Sequence, residues 1–399
     1  MGLNNTLEKI TFCIPSNNNL RYLKSCISSI RKNSFRKDHN IIIFVDRDND
    51  GSIDWLSTNQ ETYNYQFFVN PDLNVSKFGI AKAYDFCIDK STTDIFMIFH
   101  ADMILGINAD YHALKYLKEK TVVSATRIEP PLFPSAGEKI IQDFGLWPED
   151  FKSDLFDQFV NEQIDSNTNK TTDGIFAPWM MYKKDFLDIG GHDHQFISCN
   201  EDSDIFNRMV LNDYTLIQSW DSLVYHFCGR GFRFENDIMD YNLKKEEQNI
   251  AYKKFIRKWG SPVRSTPLLK PIISPKYDIG MIVDNMPYTE LEAIEPWCSH
   301  IYFSTTDKEN ITKLIDQEQE KNKIDISSKF TELSTDADID ALGNDIIIFS
   351  EDNIFKDLSI IQEANFIVSQ INQIGTFKIE NMIFVIRKIR NTLINHDQK

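Results

Sequence analysis

The residue types best suited to chemistry fall in three places. Residues 200–208 read Asn-Glu-Asp-Ser-Asp-Ile-Phe-Asn-Arg, shortly after Ile189-Gly190-Gly191-His192-Asp193. Far upstream an apolar run ends in His100-Ala101-Asp102, and downstream another ends in Tyr225-His226-Phe227. Carboxylates in two such settings can divide two tasks. One held at a strand end is a hard oxygen ligand for a divalent cation, which neutralises charge growing on a phosphate leaving group. One opening a helix can draw a proton from an attacking hydroxyl. Asp102 suits the first task, and the acids at 201–204 suit the second. His100 stands as a second ligand, a phosphate contact or a plain strand cap. An imidazole beside the carboxylate makes Mn2+ more tolerable than Mg2+. The acids Glu201, Asp202 and Asp204 also suit a helix N-terminus on dipole grounds alone.

These residues need a frame. Residues 9–14 form a short apolar strand ended by Pro15, and Leu20, Leu23, Cys26, Ile27 and Ile30 recur at helical spacing. Strands are expected at 40–45, 65–69, 94–99, 122–126 and 175–182. Helices are expected at 80–88, 201–211 and 242–259, and two short strands at 216–219 and 222–226. Residues 130–172 read as an irregular, flexible insertion on the acceptor side. Alternating strands and helices predict a mainly parallel, three-layer α/β sheet, with ligands at the carboxyl ends of its strands. Asp46 and residues 100–102 fall at such ends. Pro262, Pro267, Pro271 and Pro275 mark residues 261–276 as a linker between a domain at 1–260 and a smaller α/β domain at 277–399. There, strands are expected at 279–284, 301–304, 345–350 and 366–368, and helices at 309–321 and 379–394. The last carries Ile379, Met382, Ile383, Ile386 and Ile389 with Arg387, Lys388 and Arg390. It suits docking on its own domain, and leaves a peripheral membrane contact or a partner surface open.

A net charge of -16 disfavours a broad nucleic-acid-binding face. Six cysteines without close pairs argue against zinc clusters and disulfide frameworks, and read as reduced thiols of a cytoplasmic protein. No apolar run reaches the length of a transmembrane helix.

Several ordered pieces resemble family-two inverting glycosyltransferases of the GT-A fold, over roughly residues 1–260. Phe12-Cys13-Ile14-Pro15-Ser16-Asn17 resembles the opening strand and turn. Residues 41–46, then Asp50-Gly51-Ser52, resemble the strand that ends in acids. Residues 74–85 resemble an Asn-x-Gly-x-x-x-Ala-x-Asn pattern, with Gly79 and Ala83 in place and Asp85 standing for the last Asn. Residues 189–208 resemble the Gly-Gly-Phe-Asp…Glu-Asp-x-Asp-Leu-x-x-Arg block, the most specific piece. His100-Ala101-Asp102 resembles the Asp-x-Asp motif with its first Asp replaced.

The resemblance implies a nucleotide-sugar donor, with UDP the leading nucleotide, and a glycan, lipid-linked saccharide or surface-polymer precursor as acceptor. It implies Asp202 as general base, with Glu201 contacting the acceptor or orienting the site. It implies metal ligation by Asp102, completed by His226 unless that His is a core residue. Pro15, Ser16, Asn17, Asp46, Asp48, Lys77, Gly79 and Ala101 would meet the donor. The basic loop with Arg230 and Arg233 would close over the diphosphate, or be an ordinary turn. Asp46 and Asp48 equally suit an acidic turn facing water, and Lys77 a solvated surface. Gly191 and Trp179 would line the acceptor side. Trp147 and Trp179 offer sugar-stacking faces, although core packing suits Trp179 better. The C-terminal domain would position the acceptor or mediate oligomerisation. Two competing readings remain: a nucleotidyltransferase, and a catalytically silent nucleotide-sugar- or glycan-binding protein.

Overall fold

The computed structural model describes residues 8–228, 238–334, 338–350 and 355–390. The chain divides into two compact units, Met1–Glu247 with Ser265–Ile272, and Gln248–Arg264 with Ile273–Lys399. Residues 261–276 are therefore shared between the units rather than forming one linker. Within the first unit Lys270 reaches Asp173 at 3.0 Å. The Leu268 carbonyl lies so close over Gly174 that any Cβ there would collide with it.

The first unit is built on one mixed sheet. Its strands are β1 (Ile10–Asn17), β2 (Asn40–Arg47), β3 (Gln66–Val69), β4 (Ile95–Ile98), β5 (Met103–Leu105), β6 (Thr121–Glu129), β7 (Ile140–Ile141), β8 (Thr171–Thr172), β9 (Trp179–Tyr182) and β10 (Thr215–His226). The order is β3-β2-β1-β4-β9-β6-β10-β5, with β7 on β6 and β8 on β10. Strands β3, β2, β1 and β4 run parallel. Strand β9 is antiparallel to both β4 and β6, and β6 is parallel to β10. Strands β1, β2, β4, β6 and β10 therefore all end on the same edge. That topology alone brings Asn17, Asp46, His100, Glu129 and His226, distant in sequence, to one rim.

Period-two alternation gives β1 two buried faces. Ile10, Phe12 and Ile14 pack with Leu23, Ile27 and Ile30 of the helix Leu20–Asn33. Cys13 packs on the other face with Ala83, Tyr84 and Cys87 of the helix Ile80–Lys90. Helices on both faces make the three layers. Strand β10 is continuous where two strands are expected. Its register on β6 slips between Ser219 and Leu223, and the Ser222 amide donates to Ser219 Oγ at 3.2 Å inside that bulge. The expected irregular insertion is corrected too: it carries the helix Ser153–Ser166, which buries Phe156 and Val160. They join Phe144, Leu223, Tyr225 and Phe227 in an apolar cluster.

The second unit has a sheet of β11 (Ile279–Val283), β12 (His300–Phe303), β13 (Phe330–Glu332), β14 (Ile346–Ser350), β15 (Gly375–Ile379) and β16 (Met382–Ile386), ordered β13-β12-β11-β14-β16-β15. Two expectations are overturned here. Residues 366–368 lie in the helix Ala364–Ile371, not a strand, and bury Ala364, Asn365 and Val368 at helical spacing. The helix expected at 379–394 is absent from its described part. Glu380 has a φ of 54°, the chain reverses there, and β15 pairs antiparallel with β16. Met382, Phe384 and Ile386 are buried in alternation. No helix among the described residues is long and apolar enough to cross a membrane.

Candidate functional site

The rim of the first sheet holds two constellations. His100, Asp102 and His226 form the first, each offering a ligand atom within 4.8 Å of the others. His226 Nε2 lies 3.5 Å from Asp102 Oδ2, and the two imidazole centroids are 5.7 Å apart. The backbone holds the trio in place, since the Phe227 amide donates to the Asp102 carbonyl at 3.1 Å. Glu129, the last residue of β6, accepts from His226 Nδ1 at 2.9 Å, which turns Nε2 toward Asp102. Arg127 and Lys139 each donate to Glu129 at 2.7 Å. Glu129, His226 and Cys228 also lie close enough to share a cation. With its oxygens already taken by three donors, Glu129 is better placed to orient His226 than to ligate.

The electrostatics follow from burial. Burial lowers His100 to about 4, so its ring is neutral and has a lone pair to give. Burial also penalises charge on His226 and on Glu129. Asp102 and Glu129 overcome that penalty and raise His226. His226, Arg127 and Lys139 overcome it for Glu129 and hold its carboxyl well below the usual range. A neutral imidazole, a carboxylate and an oriented second imidazole fit a borderline divalent cation such as Mn2+.

The second constellation opens the helix Glu201–Leu211. Asn200, in the left-handed region at φ 68°, turns the chain into it. Arg208 bonds Asp204 one turn back at 2.9 Å and the Ile189 carbonyl at 2.7 Å, tying the helix to the Gly190-Gly191 turn. Asp204 is thus structural. Glu201 Oε2 and Asp202 Oδ1 are buried and have no hydrogen-bond partner among the described residues. Burial, then the charge of Asp202, pushes Glu201 up to about 8. Burial raises Asp202 as well, and His192 partly offsets it. The charges of both constellations reach Tyr84, whose phenol is raised by burial and then by Asp202, Glu201 and Asp102. Its oxygen is also buried without a partner among the described residues.

The other expected site residues divide. Pro15 and Asn17 end β1 on the rim, and Ser16 Oγ beside them is buried without a partner among the described residues. Ala101 is buried between His100 and Asp102. Asp46 is committed to its own loop, accepting from Asn70 Nδ2 at 2.9 Å and from the Phe78 and Gly79 amides at 2.8 and 3.2 Å. Asp48 caps the helix Ser52–Tyr63 through the Ser52 and Ile53 amides. Neither carboxylate faces water freely. Lys77 is paired with Glu247 at 2.5 Å. Gly79 serves the backbone: with φ 91°, a Cβ would sit 2.9 Å from the Ile197 carbonyl oxygen. Gly191, at φ 67°, leaves room for Asp85, whose Oδ2 would lie 2.9 Å from an added Cβ.

The acceptor reading of Trp179 is corrected. Its ring is fully buried in β9 against Phe96, Phe186 and Phe206, so no sugar can stack on it. The Trp147 ring is covered by the Arg21 guanidinium at 4.1 Å. Arg230 and Arg233 lie outside the described residues. Sequence reasoning missed Glu129 and Tyr84. An acid closing an apolar strand, as at Asp46, is the signal that would have found Glu129. Nothing in the sequence sets Tyr84 apart from a core tyrosine.

An α/β sheet with acids and imidazoles gathered at the carboxyl ends of its strands is the class of fold that binds nucleotides on that rim. Residues 11–189 match the model for glycosyl transferase family 2. Glu201, Asp202 and His226 lie beyond the matched stretch. No curated protein matches the chain. Among solved structures, GalNAc-T7 with UDP, GalNAc and Mn2+ is similar at 12% identity and a TM-score of 0.43, over 63% of this chain and 51% of that one. S. aureus TarS is similar at 11% identity and a TM-score of 0.41, over 62% of this chain and 43% of that one. The chain thus spans about half the length of these structures. Both are too distant to transfer any residue's role.

Proposed function

We propose that the protein is a metal-dependent inverting glycosyltransferase that moves a sugar from a nucleoside-diphosphate donor, UDP-linked, to a hydroxyl of a glycan or lipid-linked saccharide. The observation that carries this reading is that Glu201 Oε2 and Asp202 Oδ1 are buried without a partner among the described residues, in the unit whose sheet rim gathers His100, Asp102 and His226. Buried polar atoms without partners are rare in native proteins, and a cluster of them is the usual mark of a ligand site. A divalent cation bound by the trio supplies charge to stabilise the departing diphosphate.

Asp202 takes the proton of the acceptor hydroxyl as that oxygen attacks the anomeric carbon. The bond from that carbon to the diphosphate breaks, and the nucleoside diphosphate leaves with the electron pair. Burial of Asp202 moves its basicity toward neutral pH, which makes it a stronger base when ionised. Glu201, raised to about 8 by burial and by the charge of Asp202, is protonated below that pH and donates a hydrogen bond to the acceptor. Ser16 Oγ and the β1 turn at Pro15 and Asn17 face the nucleotide. The second unit positions the acceptor or joins copies of the chain.

The test is a thermal melt with UDP, GDP, CMP and their sugars, with and without Mn2+, since a ligand of the folded state raises the melting temperature. A shift that needs both Mn2+ and one nucleotide supports the reading. Equal melts with every nucleotide, with or without Mn2+, reject it.

A further inference from the structure

His226 presents its second ring nitrogen to a second set of ligand atoms. Strands β6 and β10 run parallel with Ile128 beside Tyr225, so Glu129 and His226 leave the sheet as neighbours. Nδ1 lies 2.9 Å from Glu129 Oε1, while Nε2 is the nitrogen that lies 3.5 Å from Asp102. Two residues on, Cys228 has a φ of 66°, a left-handed conformation uncommon for a residue of its type. It is buried, and its thiol donates to the His226 carbonyl at 3.6 Å. The ligand atoms of Glu129, His226 and Cys228 all lie within 4.8 Å of one another.

This set differs in chemistry from the trio. Two imidazoles and a carboxylate suit Mn2+, whereas a thiolate, an imidazole and a carboxylate select a softer, zinc-type cation. Tetrahedral zinc holds such atoms about 3.3–3.6 Å apart, so the gap between Nδ1 and Oε1 opens by about half an ångström and Sγ closes in. Arg127 on Oε1 and Lys139 on Oε2, both at 2.7 Å, stay as the outer partners that a ligating carboxylate carries. A neutral imidazole has one lone pair to give. An ion on Nδ1 leaves the ring proton on Nε2, which then faces Asp102 as a donor and cannot ligate. With the proton on Nδ1, bonded to Glu129, Nε2 is free for the trio.

We propose that Glu129, His226 and Cys228 form a second cation site, for zinc-type ions, and that its filling excludes Mn2+ from His100, Asp102 and His226 by fixing the His226 tautomer. Binding releases the Cys228 thiol proton to solvent and moves the ring proton from Nδ1 to Nε2. The zinc-type site stands apart from the glycosyltransferase reading, and only the exclusion of Mn2+ rests on it.

The first probe is Co2+, which zinc-type sites accept and which absorbs in the near ultraviolet when a thiolate binds it. Titrated into the full chain, Co2+ is expected to give that band in the wild type and in Asp102→Ala, and none in Cys228→Ser. Thermal melts confirm that each variant folds, with Cys228→Ala in reserve for Cys228→Ser. No band in the wild type, or an equal band in Cys228→Ser, overturns the site. A band lost in Asp102→Ala puts the thiol in the trio and overturns a separate site. The second readout is Mn2+ affinity in buffered Zn2+, from the paramagnetic resonance of free Mn2+. With Zn2+ at about ten times its wild-type Kd, apparent Mn2+ affinity is expected to fall about tenfold in the wild type and less than about twofold in Cys228→Ser. An equal fall in Cys228→Ser means that zinc enters the trio itself, and unchanged Mn2+ binding in the zinc-loaded wild type means that one ring serves both ions; either result overturns the exclusion. If the wild type shows the thiolate band and binds no Mn2+, the metal-dependent transferase reading fails and the zinc-type site stands.

Discussion

Replacing Glu129 by Gln tests whether the rim holds a cation. The change removes one charge from a buried cluster and leaves its shape. Glu129 is only 3% exposed and is met by His226 Nδ1 at 2.9 Å, with Arg127 and Lys139 at 2.7 Å. A Gln can still accept one bond, but its amide nitrogen then faces a donor, Lys139 Nζ. The outer partner that fixes a ligating imidazole is typically worth 10–100-fold in metal affinity. The expected loss for Mn2+ is therefore about 1.4–2.7 kcal/mol. Glu129→Ala is the wrong experiment, because it removes the carboxylate that Arg127 and Lys139 share in a buried cluster, at a cost of about 3–5 kcal/mol, and confounds binding with folding. The assay is calorimetric titration of Mn2+ into the UDP-saturated protein, beside His226→Ala and Asp102→Ala. If Glu129→Gln binds Mn2+ within twofold of wild type while His226→Ala abolishes binding, Glu129 does not orient the ligand. If His226→Ala also binds normally, the trio is not the cation site.

Three further outcomes follow from the same geometry. Asp202→Asn is expected to lower sugar transfer by about 10²–10⁴-fold, the range of a positioned base, while UDP and Mn2+ still bind; normal turnover removes Asp202 from the role. Glu201→Gln is expected to change how stability depends on pH. The folded carboxyl is raised from 4.5 to about 8, so the wild type loses stability as pH climbs through that window, when only the unfolded chain ionises freely. The variant should gain on wild type by up to about 5 kcal/mol between pH 4.5 and 8 in urea melts without metal, and a gap that stays constant with pH contradicts the assignment. Trp179→Leu is expected to cost about 2–4 kcal/mol of stability as a large-to-small core change and to leave the acceptor KM alone; a raised KM in a stable variant would restore the acceptor contact.

The first unit was legible because its strands are short apolar runs closed by Pro, Asp, Asn or His, and those stops are the rim itself. Reading 9–14, 40–45 and 94–99 as strands therefore also located Asp46 and residues 100–102. The second unit misled for the opposite reason. Ile379, Met382, Ile383 and Ile386 satisfy helical spacing, yet Phe384 between them and the turn at Glu380 permit a period of two, and pairing with β14 selects it. Residues 366–368 are three apolar residues whose helix is chosen by what Ala364 and Val368 bury, which no local pattern states.

The same limit applies at the site. Asp46, Asp48 and Trp179 were read by type; the structure assigns Asp46 and Trp179 to hydrogen bonds or packing with partners far along the chain, and Asp48 to a local cap of the next helix. Glu129 and Tyr84 gain their importance only from neighbours the fold brings to them. The two constellations were legible as separate motifs, whereas Tyr84, which feels the carboxylates of both, is placed by the packing of its helix on β1. Strand β9, inserted antiparallel between β4 and β6, keeps β4, β6 and β10 pointing the same way. It is that insertion, carried by the buried Trp179, which allows His100, Glu129 and His226 to share an edge. Trp179 therefore serves the site by building its rim.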